Sequence, residues 1–265
     1  MLLTVGGHEL FYERAGAGRP LVLLHGLGTP SVWDRVFDPL STSFDVIRVH
    51  LPGFGSSPPA VMSASEHAAL VAGLLDRLGL EDVTLCGLSY GGQVAAMLAA
   101  STSRVGTLVL AAPSGLLRRY RFLRFAAIFA AVRVLSRTSI LRNAASVRRW
   151  NRRLYVDPAN QPEEVVAEFM RMLAEERRAE CWFGCLRNAA VPEEGFPERL
   201  QSIHVPTLLV WGDRDRVLPS ASAARFLRAI PGSRLEILGR CGHALPLERA
   251  DQLIELLRGF ARPRS

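Results

Sequence analysis

The stretch Val83-Thr84-Leu85-Cys86-Gly87-Leu88-Ser89-Tyr90-Gly91-Gly92-Gln93 constrains this chain more than any other. An apolar run of strand length leads into it, and an alanine-rich run of helical character, Val94 to Ala100, leads out. One serine stands at the changeover, with glycine two residues away on either side. A strand that turns directly into a helix needs a sharp, strained bend at Ser89, and the two glycines remove side chains that would collide across it. The hydroxyl is then held above the strand end, at a helix N-terminus whose dipole favours negative charge. Such a unit belongs to an α/β sheet, and 265 residues suffice for one large domain of that class.

The rest of the chain supports an alternation of strands and helices. Glu9–Glu13, Leu21–Leu24 and Asp45–Val49 read as strands, and Ser65–Leu78 carries Leu70, Leu74, Leu75 and Leu78 at helical spacing. A strand at 83–86, a helix at 91–100 and a strand at 108–111 follow. From Ser114 to Leu200 the pattern turns helical throughout. It resumes with a strand at 206–212, a helix around 221–229, a strand at 234–238 and a helix at 247–260. The expected fold is therefore α/β, a mostly parallel central sheet with flanking helices. Residues 1–113 and 201–265 form the core domain, and residues 114–200 form an inserted helical cap. An insertion of this kind emerges at the sheet edge where open α/β folds bind ligands.

A serine hydroxyl needs a base to become a nucleophile, and the base needs an acid to orient it. His243 lies in the loop between the last strand and the last helix, at the same carboxyl edge of the sheet as Ser89. Asp213 and Asp215 follow the preceding strand. Asp215 sits farther along the loop, where it can turn toward His243, whereas Asp213 suits hydrogen bonding to the loop backbone. The expected catalytic set is Ser89, Asp215 and His243, in that order along the chain.

The whole chain resembles the α/β-hydrolase fold family. The resemblance is carried by LLHGLG (23–28), LPGFGSS (51–57), CGLSYGG (86–92), WGDRDRVLP (211–219) and CGHALPLE (241–248), in the family's order. It implies an oxyanion hole made by the backbone N–H groups of Leu27 and Tyr90, each such donor being worth on the order of 2.7–4 kcal/mol to an acyl-transfer transition state. His25 then serves as a scaffold for the oxyanion turn. The family usually carries Asp where this chain has His50, which leaves that histidine without an assigned role. With serine at 89, alkyl-enzyme chemistry of the epoxide-hydrolase kind is disfavoured. The carbon–carbon hydrolases of ring-cleavage pathways also resemble the chain, but they typically carry Trp directly after the catalytic histidine, and here that residue is Ala244.

The expected activity is hydrolysis of a carboxylic ester or thioester of a largely apolar small molecule, through an acyl-enzyme. A carbon–carbon hydrolase, or a lyase or cyclase using the same site, is the alternative. A small-molecule receptor on a hydrolase scaffold is a further one. Phe122, Phe125 and Phe129, at i, i+3, i+7 spacing in the cap, together with Trp33 and Trp182, are the candidate substrate-binding residues, although such stripes commonly pack a core.

Charge excludes little. The chain carries +7 with no lysine at all, and eleven arginines but no acid lie between Ser114 and Val156. That block could meet an acidic ligand or a membrane surface peripherally; a solvated surface is the plainer reading, and no nucleic-acid-binding fold accompanies it. Cys181 and Cys185 lie one helical turn apart with no histidine at zinc-ligand spacing, so no metal and no other cofactor is expected. Met1-Leu2-Leu3-Thr4 is not preceded by a basic segment, and the expected location is cytoplasmic.

Overall fold

A computed structural model describes residues 1–116, 144–191 and 193–261. Eight strands form one sheet: β1 (Leu2–Val5), β2 (His8–Gly16), β3 (Pro20–Leu24), β4 (Asp45–His50), β5 (Val83–Leu88), β6 (Val105–Ala111), β7 (Thr207–Gly212) and β8 (Arg234–Leu238). Their order across the sheet is β1-β2-β4-β3-β5-β6-β7-β8. β1 and β2 form an antiparallel hairpin, β2 pairs antiparallel with β4, and the remaining neighbours are parallel. β5 and β7 are buried along their whole length, as expected of continuous apolar strands covered on both faces.

The helices of the sheet are α1 (Asp34–Ser41), α2 (Ala64–Arg77), α3 (Tyr90–Ala99), and, after β7, α8 (Ala223–Ala229), α9 (Leu245–Glu248) and α10 (Ala250–Phe260). Between β6 and β7 the described elements are helical: α4 (Ala144–Asn151), α5 (Glu163–Ala174), α6 (Glu176–Ala190) and α7 (Phe196–Gln201), with short 3-10 turns among them. α2 starts at a reciprocal cap in which Ser63 accepts the Glu66 N–H and the Glu66 carboxylate accepts the Ser63 N–H. The expected single helix at 247–260 is in fact two. Arg249 leaves the helical region (φ −139°, ψ 48°) and separates α9 from α10. β1 and α1 have no counterpart in the sequence reading: β1 has only four residues, and α1 carries a proline, Pro39.

The topology gathers the candidate residues. The chain runs from β3 outward to β4 and returns to β5 on the other side of β3, so the sheet reverses direction of growth between β3 and β5. In open α/β sheets ligands bind at that reversal, outside the carboxyl ends of the strands. Gly26-Leu27 leave the end of β3, Ser89 the end of β5, Asp215 the end of β7 and His243 the end of β8. No helix of the described residues is long and apolar enough to cross a membrane.

Candidate active site

Ser89 sits in a backbone conformation that side chains avoid, φ 55° and ψ −115°, between the last residue of β5 and the first of α3. The surroundings impose it. The Ser89 N–H donates to the Ala111 carbonyl at the end of β6 (2.9 Å), and the Ser89 carbonyl accepts from Gln93 (3.1 Å) and Ser114 (3.0 Å). A side-chain carbon on Gly87 would run into the Gly91 carbonyl, and one on Gly91 into the carbonyls of Leu24 and His25. The bend therefore accepts only glycine on either side of it, and conformations of this kind cost on the order of 1–3 kcal/mol.

The turn after β3 lies directly against this bend. A side-chain carbon on Gly26 would fall 2.9 Å from the Ser89 Cβ. His25 is fully buried and roots the turn: its Nδ1–H donates to the Gly26 carbonyl (2.7 Å), and its Nε2 accepts the Leu51 N–H (3.1 Å). Burial pulls its pKa down to about 3, so the ring is neutral and the two nitrogens keep these separate roles. The Gly26 carbonyl and the Leu27 N–H share one trans peptide and point in opposite directions. Tying the carbonyl to His25 therefore turns the Leu27 N–H away from His25. On the other side of Leu27, its carbonyl accepts the indole N–H of Trp182 from α6 (2.6 Å).

Asp215 and His243 meet. His243 Nδ1 lies 2.7 Å from Asp215 Oδ2, and both residues are buried. The other oxygen of Asp215 accepts the N–H groups of Val217 and Leu218, each at 2.8 Å, so the carboxylate cannot rotate away. Asp213 does something else. Its Oδ1 accepts the Cys241 N–H (3.0 Å), and that bond holds its carboxyl below the usual range. It braces the loop that leads to His243. Because Asp215 accepts at Nδ1, that nitrogen carries the proton and Nε2 keeps the lone pair a base requires.

The other histidines are occupied or remote. His8 and His204 are exposed. His67 is buried on α2, its Nδ1 beside the Ser63 carbonyl (2.9 Å) and the Tyr90 hydroxyl (3.0 Å), and burial lowers its pKa to about 4. His50 accepts the Ser56 N–H at Nδ1 (3.0 Å) and donates from Nε2 to Glu13 (2.9 Å). That bond, with help from Arg48, holds Glu13 down to about 2. His50 thus closes the turn after β4 and ties it to β2.

The aromatic candidates divide. Trp33 is completely buried in the core. Trp182 is 3 % exposed, edge-on to Phe169 (5.7 Å) and Phe183 (5.1 Å), with its N–H given to Leu27. Phe122, Phe125 and Phe129, and the arginines around them, lie outside the described residues. Cys86, Cys181, Cys185 and Cys241 are buried free thiols.

One residue without a role in the sequence reading is Glu248. Its carboxylate is buried and accepts the N–H groups of Gly242 and Val156, both at 2.7 Å, and of Asp157 at 3.3 Å. Next to it, the Leu154 carbonyl accepts the N–H groups of His243 (2.7 Å) and Ala244 (3.0 Å). The His243 loop is thereby stitched to the segment between α4 and α5. The sequence signal is slight: one acid after CGHALPL, with partners far away along the chain.

Comparison with known proteins identifies the family and the fold. The model of the alpha/beta hydrolase family matches residues 21–256. A 2-hydroxy-6-oxononadienedioate/2-hydroxy-6-oxononatrienedioate hydrolase of Paraburkholderia phymatum is 32% identical over 272 residues, covering 96% of this chain and 92% of that protein. The crystal structure of a membrane phospholipase A superposes with a TM-score of 0.79 at 27% identity, covering 98% of this chain and 84% of the other. An esterase from Exiguobacterium antarcticum superposes with a TM-score of 0.82 at 22% identity, covering 99% of each chain. The chain belongs to the alpha/beta hydrolase family and is an enzyme, a hydrolase.

Proposed function

We propose that the chain is a serine hydrolase that cleaves a carboxylic ester, or thioester, of a largely apolar small molecule. The observation that carries this reading is the Asp215–His243 bond at the same sheet edge as the strained Ser89 bend. His243 Nε2 takes the Ser89 proton as Oγ attacks the carbonyl carbon. Leu27 and Tyr90 N–H groups stabilise the oxyanion; Tyr90 is the first residue of α3, so its N–H has no partner within the helix. Asp215 holds the imidazole tautomer and stabilises the imidazolium. His243 returns the proton to the leaving group, and water hydrolyses the acyl-enzyme with His243 again as base. None of these steps requires a metal or an organic cofactor. The substrate enters beneath the cap, residues 114–200, and the enzyme works in the cytoplasm.

The test is a rate series on p-nitrophenyl esters of increasing acyl length, for wild type and Ser89→Ala together. Turnover that rises with acyl length and vanishes in the variant supports the reading. Wild-type turnover in Ser89→Ala defeats it.

A second reading is favoured by the Paraburkholderia relative, whose name specifies an oxononadienedioate substrate. Under that reading the same serine and histidine cleave a carbon–carbon bond beside a ketone. Ala244, where the ring-cleavage pattern has Trp, weighs against it. Fast turnover of a 2-hydroxy-6-oxo dienoate by protein inert toward simple esters would establish the second reading over the first.

A further inference from the structure

We infer that Trp182 is a positioning residue for the oxyanion turn: its indole N–H fixes the Leu27 peptide, so that a helix of the cap sets transition-state binding at Ser89. The inference rests on the proposed role of Leu27 and Tyr90 as oxyanion donors.

The turn is soft by itself. Leu27 stands between Gly26 and Gly28, and glycine flanks leave a peptide free to rotate. A side-chain carbon on Gly28 would meet nothing within 4 Å, so the space beside Gly28 is open, while the Leu27 side chain is half-buried against the core. Two hydrogen bonds fix the peptides on either side of Leu27. His25 holds the Gly26–Leu27 peptide through the Gly26 carbonyl, and Trp182 holds the Leu27–Gly28 peptide through the Leu27 carbonyl. With both peptides fixed, rotation about the Leu27 backbone is blocked, and the N–H between them keeps one direction. Without the indole, only the first peptide is tied.

The Trp182 side chain is suited to that task. It is 3 % exposed and gripped edge-on by Phe169 of α5 and Phe183 of α6. A ring so confined has few rotamers to lose and delivers its N–H to one point. The helix that carries it also reaches the other donor residue: Cys185 and Asn188 of α6 face the Tyr90 hydroxyl. Arg178, on the same helix, donates to the carbonyls of Gly55 (3.0 Å) and Ser57 (2.9 Å), which anchors its first half to the loop after β4. α6 is therefore a fixed brace spanning both proposed donors.

A fluorophosphonate probe tests this without knowledge of the substrate. Ser89 Oγ bonds to phosphorus, fluoride leaves with the P–F electron pair, and His243 takes the serine proton; the phosphoryl oxygen occupies the oxyanion site. Trp182→Phe keeps a ring between Phe169 and Phe183 but has no donor. A second variant carries β-(3-benzothienyl)alanine at 182, which preserves the shape of the indole and lacks only the N–H. For both, labelling is expected to slow on the order of 10–100-fold, less than complete loss of a donor. The kcat for a p-nitrophenyl ester should fall in the same proportion with KM unchanged, and the thermal midpoint of the benzothienyl variant should match wild type. Labelling of the benzothienyl variant within twofold of wild type overturns the inference. So does a change confined to KM. If wild type is not labelled, or Ser89→Ala is labelled equally, the nucleophile reading itself fails and the Trp182 role with it.

Discussion

Asp215 reaches His243 with one carboxylate oxygen, at 2.7 Å, and spends the other on two backbone N–H groups of its own loop. Asp215→Asn should keep the two backbone bonds, since an amide oxygen can replace Oδ1. It would then present an N–H₂ to Nδ1 and force the proton onto Nε2, which removes the base. The expected loss in kcat is roughly 10³–10⁴-fold with little change in unfolding midpoint. Asp213→Asn, in the neighbouring carboxylate, should lose less than about tenfold, because Asp213 bonds to the Cys241 N–H and not to the imidazole. Steady-state kinetics of the two variants decide it; equal losses would refute the division of roles.

Ser89 separates activity from stability. Its φ of 55° is imposed by the bend and costs any residue with a Cβ. Ser89→Gly and Ser89→Ala should both be inactive as hydrolases. Ser89→Gly should nonetheless be the more stable of the two by about 1 kcal/mol, the relief of strain exceeding the entropy glycine adds to the unfolded chain. Urea unfolding measures the difference. An alanine variant at least as stable as the glycine variant would show that the bend is unstrained.

The parallel sheet and the approach of Asp215 to His243 are legible in the sequence because each rests on a local rule. Apolar runs such as Leu21–Leu24, short and bounded by turn residues, read as covered strands, and residues placed just after parallel strands share one edge. The elbow is legible because Gly87 and Gly91 mark close backbone approach. What is not legible depends on contacts between distant segments. Nothing in the run around Trp182 distinguishes an indole aimed at a carbonyl from one packed in a pocket. Nothing around His50 shows that it would accept the Ser56 N–H and donate to Glu13. The break at Arg249 escapes for the same reason: the Leu247–Phe260 pattern is helical throughout, and the interruption falls directly after Glu248, whose carboxylate bonds to Gly242 and to Val156, the latter far away along the chain.

Glu248 holds the His243 loop against the segment between α4 and α5, so its removal should damage both folding and catalysis. Glu248→Ala leaves the N–H groups of Gly242 and Val156 without an acceptor in a buried setting, at about 1–3 kcal/mol each. A loss of about 3 kcal/mol in unfolding free energy is expected, with kcat reduced by at least tenfold as His243 loses its fixed position. Glu248→Gln keeps one acceptor oxygen and should retain more of both. Chemical denaturation and ester kinetics on the pair test this. An alanine variant with native stability would mean that water replaces the carboxylate.

Two buried histidines make stability depend on pH above the range of the carboxylates. His25 is held down to about 3 and His67 to about 4, from an ordinary value of 6.5, chiefly because burial disfavours the charged ring. Between those values the unfolded chain binds protons that the folded protein refuses. Stability is therefore full above pH 6.5 and falls as the pH drops through 6.5 toward 4, each ring contributing up to about 1.4 kcal/mol per pH unit. Glu13 acts lower. Its pKa is depressed from 4.5 to about 2, so its contribution is intact above 4.5 and is lost only below it. The interval from pH 6.5 to 4.5 thus reports the histidines. Urea unfolding at pH 7 and pH 5 should differ by roughly 3–4 kcal/mol for the two rings together. A flat profile across that interval would require the folded protein to protonate both His25 and His67, the first at the expense of the Leu51 N–H bond to His25 Nε2.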